Sequence, residues 1–106
     1  EMTLPALKRL LDTLDLPVAY RAWGVGNAPE LPYILYYADE DIGFFADDMV
    51  YSEGYAVTIE VYSQVKDLAL EEKVKKLLND NRLPYTPYES FLESENMYEK
   101  AYEITI

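Results

Sequence analysis

Carboxylates are the only reactive side chains this chain carries in number. It has 20 aspartates and glutamates against 9 lysines and arginines, and no histidine or cysteine. The missing types are the usual general base, the usual soft metal ligand and the best nucleophile, so Ser-His, Cys-His and thiolate-zinc chemistry are excluded. The densest acidic stretch runs from Asp39 to Glu53, with Asp39, Glu40, Asp41, Asp47, Asp48 and Glu53 and no base among them. Calcium accepts several such oxygens, but the spacing misses the EF-hand pattern: Gly43 comes one position early, and no glutamate stands twelfth from Asp39. A two-carboxylate hydrolase needs two acids held across a cleft, and no spacing here points to such a pair. The expectation is a protein without catalytic residues, cofactor or metal.

Two further patterns resemble sites and fall short. Gly24-Val25-Gly26 opens like a dinucleotide fingerprint but lacks the third glycine and the following helix, so it reads as a turn. Lys73, Lys75 and Lys76 cluster on a helical segment beside Glu71 and Glu72, as on a solvated face. The formal net charge of −11 repels nucleic-acid phosphates and anionic lipid. It suits solubility, the lining of a passage for something negative, or docking on a basic partner. Tyrosine is the unusual abundance, with eleven copies. Strands use most of them, but Tyr36, Tyr37, Tyr51, Tyr55, Tyr62, Tyr98 and Tyr102 exceed what one small core needs, so some are expected to face a neighbouring subunit.

The elements that must position these residues follow from periodicity. A length of 106 residues suits one domain, spanning 1–106, and no apolar run is long enough to cross a membrane. Glu1 before Met2 reads as a tag remnant, and no signal segment opens the chain. Thr3 caps a helix carrying Leu4, Leu7, Leu11 and Leu14, which should end near Asp15 before Pro17. Strands are expected at Val18–Trp23, at Tyr33–Ala38, and from Gly54 through Tyr55, Val57, Ile59 and Val61. Asp67 caps a second helix with Leu70, Val74, Leu77 and Leu78 inward and Glu71–Lys75 and Glu72–Lys76 pairs outward. Leu83–Tyr88, interrupted by Pro84 and Pro87, should be an edge strand, and Met97–Ile106 closes the chain.

The order α-β-β-β-α-β-β predicts an α+β fold: an antiparallel or mixed sheet of four to five strands, with both helices packed on one face. The connection at 39–53 is long for such a domain. Its acids alternate with aromatic and apolar side chains, so it reads as a hairpin arm or flap ordered against a partner, or else as a local mini-core under the sheet edge. On the first reading Asp39, Asp41, Phe44, Phe45, Asp47, Asp48, Met49 and Tyr51 are the candidate interface residues.

The succession MTLPALKRLLDTLDLPVAY, LPYILYYADE, YAVTIEVYSQVKDLALEEKVKKLL and MYEKAYEITI resembles the small tail-completion proteins of long-tailed phages and prophages of Gram-positive hosts. The likeness runs from Met2 to Ile106 and lies in strand and helix patterns rather than in invariant residues. It implies a tail-terminator or head–tail joining role without catalytic residues. Such proteins form homo-oligomeric rings, often hexamers, that stop tube growth and meet the tail tube protein on one side and the head connector on the other. The implied location is the virion, with the host cytoplasm during assembly. The physical alternative is an acidic, DNA-mimic type of inhibitor acting as a monomer or dimer.

Overall fold

The computed structural model describes residues 2–39 and 56–106. Helix α1 covers Leu4–Asp12, with the Thr3 hydroxyl accepting from the Ala6 N–H at 3.2 Å. Leu7 and Leu11, four apart, are fully buried on its inner side. The helix stops at the Thr13 cap, earlier than its leucine spacing suggests, and Asp15 turns the chain at φ 62°. Strand β1 then covers only Val18–Tyr20, because Arg21 takes a left-handed φ of 67°. Strands β2 (Tyr33–Ala38) and β3 (Ala56–Ser63) follow.

Helix α2, Leu68–Asp80, is capped by the Asp67 carboxylate, which accepts from the Leu70 N–H at 3.0 Å. Its C-terminus closes with paired backbone bonds, Leu83 N to Leu78 O at 2.9 Å and Arg82 N to Asn79 O at 3.1 Å. This wrap requires a left-handed residue, and Arg82 fills that place at φ 57° where glycine is usual. Strand β4 covers Tyr85–Leu92 and β5 covers Met97–Thr105. The first of these is longer than its prolines suggest, and it lies at the sheet edge, where Pro87 is tolerated.

The five strands form one mixed sheet in the order β1-β2-β3-β5-β4. Only β1 and β2 run parallel, and the other three pairings are antiparallel. Strands β3 and β4 are therefore parallel, joined through α2 with β5 inserted between them, a split β-α-β unit. The fold is α+β, as expected.

Register assigns the faces. Ile34 opposes Val61, Tyr36 opposes Ile59, Val57 opposes Ile104 and Ile59 opposes Tyr102, so these side chains share the inner face. There they form one cluster with Leu7 and Leu11 of α1 and Leu70, Val74 and Leu78 of α2. Both helices thus cover the same face. Tyr36 and Tyr102 belong to this core, at 7% and 0% exposure, and are not interface tyrosines. The helix ion pairs also differ from the expected ones. Lys75 bonds Glu72, Lys76 bonds Asp80, and Glu71 turns toward the sheet to meet Lys66 and Lys100. With Glu89 of β4 these form a four-residue network beside the N-terminal turn of α2.

Candidate functional site

Alternation fixes which residues occupy the other face. Each strand that sends a core residue inward sends its neighbours outward, so the outer face holds Tyr33, Leu35 and Tyr37 from β2 and Ala56, Thr58, Glu60 and Tyr62 from β3. Strand β5 adds Glu99, Ala101 and Glu103, and β4 adds Tyr88. Among the described residues no helix packs on this face. Its β1–β2 side is covered by the crossover between those strands: Trp23 meets Tyr33 edge-to-face at 5.5 Å, and Tyr33 leans on Tyr62 at 5.3 Å. The Trp23 indole Nε1 is buried there with no hydrogen-bond partner among the described residues.

Glu60 is the hub of the polar groups. Its two carboxylate oxygens accept from the Tyr37 hydroxyl at 3.0 Å and the Tyr62 hydroxyl at 2.7 Å. Glu99 of β5 faces Tyr62, two register positions along from Glu60 and on the same side of the sheet. Desolvation first, then hydrogen bonding with Glu60 and the charge of that residue, push the Glu99 carboxyl up to about 7. The Glu99 carboxyl thus keeps its proton to near neutral pH. The Tyr62 hydroxyl is held far above its ordinary range by burial first, then by its bond to Glu60 and the nearby acids. Tyr37 is raised by burial and by Glu60, and Tyr33 by burial and Glu95.

One cation reaches this face. Arg21, placed by its left-handed turn after β1, sets its guanidinium 4.9 Å from the Tyr37 ring centre and 5.9 Å from that of Tyr20. It also donates to the Ala38 carbonyl at 3.1 Å. The Thr58 hydroxyl donates to Asp39 at 2.9 Å, and the Asp39 N–H donates to the Ala56 carbonyl, which fixes that aspartate at the end of β2.

Asp39 is the one expected interface residue that the structure describes. Asp41, Phe44, Phe45, Asp47, Asp48, Met49 and Tyr51 lie outside the described residues. Tyr37 and Tyr62, two of the surplus tyrosines, do stand on the outer face, whereas Tyr98 meets Phe91 edge-on at 4.9 Å. Sequence reasoning missed the Glu60–Glu99 pair. The alternation of β3 and β5 put each glutamate opposite the apolar residues, but only the β3–β5 register brings the two together.

Among the described residues no three acidic side chains gather to hold a metal, and no helix is long and apolar enough to cross a membrane. No family model matches the chain, and comparison with curated proteins and with solved structures finds no match.

Proposed function

We propose that this chain is a structural virion protein of the head–tail junction, capping the tail tube as a homo-oligomeric ring and joining it to the head connector. The observation that carries the reading is the outer sheet face, which lacks a second layer among the described residues yet holds large aromatic side chains around Glu60 and Glu99. Aromatic residues that combine apolar area with a polar tip are the usual stuff of protein contacts. The resemblance carried by the pattern from Met2 to Ile106 supports the head–tail junction as the place of assembly. A ring of identical chains needs a heterologous contact that closes, and an acidic surface would let DNA pass without sticking.

Electron microscopy of the purified protein, alone and mixed with the tail tube subunit of the same virion, tests this directly. Rings at tube ends are expected. A monomer or dimer that ignores the tube and instead inhibits a basic DNA-binding protein would replace this reading with the DNA-mimic one.

A further inference from the structure

The outer face already shows how it holds a cation. On its β2 side the Arg21 guanidinium lies over Tyr37 and donates to a backbone carbonyl. Farther across the sheet, on β3, β5 and β4, similar groups occur without the cation. Tyr62 donates to Glu60, Glu99 lies opposite Tyr62 in register, Glu103 is exposed, and Tyr88 is 53% exposed. Lys100 of β5 points to the inner face, where it meets Glu71 and Glu89. Arg21 is the only base among the described residues of the outer face, and residues 40–55 contain none.

We propose that the β3–β5–β4 part of the outer face docks an arginine-bearing segment of another protein, with one guanidinium lying over Tyr62 and against Glu60 and Glu99. The occupant is chosen by charge. A second copy of this face would set carboxylate against carboxylate, and a chain of net charge −11 disfavours any anionic partner. Arginine fits better than lysine because its planar fork can bridge two carboxylates while its flat side covers a ring. The charged and titratable groups around the seat are Tyr33 and Tyr37 from β2, Asp39 just after it and Arg21 from the crossover. Tyr62 adjoins it on β3, Glu103 on β5, Tyr88 on β4 and Glu95 in the β4–β5 turn. An incoming guanidinium favours the ionised form of Glu99, whose carboxyl is pushed up to about 7, so docking releases a proton near neutral pH. The proposal rests on reading this face as a contact surface, and does not require the partner to be a phage component.

The test uses the full chain and a blocked hexapeptide of alternating arginine and threonine, with a lysine–threonine peptide beside it. Calorimetry at pH 7 in two buffers of different ionisation heat reads affinity and proton release together. The arginine peptide is expected to bind more tightly than the lysine peptide and to release protons. Glu99→Gln should weaken it about tenfold and remove the proton release. Glu72→Gln, which changes the charge equally on the helix layer, should leave the affinity unchanged. Tyr62→Phe keeps the ring and removes the bond to Glu60, and should weaken binding less than Glu99→Gln. Urea midpoints check that each variant is folded. Equal weakening by Glu99→Gln and Glu72→Gln would show general attraction to an acidic chain and overturn the proposal. So would absence of binding, or binding without proton release. A wild-type chain that binds the peptide but makes no ring with the tube subunit overturns the head–tail reading and leaves the docking seat standing. A chain that makes rings but binds no peptide does the reverse.

Discussion

Glu99→Gln should make the protein more stable at pH 8 and leave it nearly unchanged at pH 5. The Glu99 carboxyl is pushed from 4.5 to about 7, by desolvation first and by Glu60 second. A folded-state value above the unfolded one means that the folded chain holds the proton more tightly between those two values. Its stabilising effect is therefore complete below about pH 4.5 and is lost as pH rises through 7. A shift of roughly 2.5 units corresponds to about 3 kcal/mol if none of it is screened. The Glu99 side chain is only partly buried, and solvent screening reduces this to about 1 kcal/mol. Glutamine keeps the shape and can donate to Glu60 at any pH, so the variant should not lose stability across this window. Urea unfolding at pH 5, 6, 7 and 8 measures the difference, which should grow to about 1 kcal/mol in favour of Glu99→Gln. Glu89, lowered by Lys66, titrates below this window and does not blur the comparison. Parallel pH profiles for the two proteins, or a variant less stable at pH 8, would refute the raised Glu99 carboxyl.

Three further substitutions probe the frame. Arg82→Gly should raise stability by up to about 1 kcal/mol, because the helix-ending position at φ 57° strains a residue with a Cβ; a lower urea midpoint would count against it. Tyr102→Phe should leave stability unchanged or raise it by about 1 kcal/mol, since the buried hydroxyl has no partner among the described residues while the ring keeps its contact with Tyr85; a clear loss would mean that the hydroxyl is bonded. Leu11→Ala should cost about 3 kcal/mol, as a fully buried leucine where α1 meets the sheet, and a cost under 1 kcal/mol would show that α1 is loosely attached.

Much of this fold was legible because its signals are local. The Thr3 and Asp67 caps, the leucine spacing of both helices and the strict alternation of β3 each report on a few neighbouring residues. Boundaries failed where backbone conformation overrode side-chain type. Arg21 and Arg82 adopt left-handed conformations that nothing in arginine announces, and the first of them cut β1 short. The ion pairs of α2 failed for a tertiary reason: Glu71 found Lys66 and Lys100 across the sheet instead of its helical neighbour Lys75. The Glu60–Glu99 pair was illegible because two strands separated by a helix and another strand must first be placed in register. Tyrosine counting pointed to surplus aromatic surface, and Tyr37 and Tyr62 are on the outer face, but Tyr36 and Tyr102 went to the core. Only their parity within a paired strand separates the two groups.

Carbodiimide footprinting of the carboxylates, with and without the tail tube subunit, tests the central claim most directly. If the outer face is the contact surface, Glu60, Glu99 and Glu103 lose reactivity on assembly while Glu72 and Asp80 on the helix layer keep theirs. Protection confined to Glu72 and Asp80, with Glu103 as reactive as in the free chain, would contradict it.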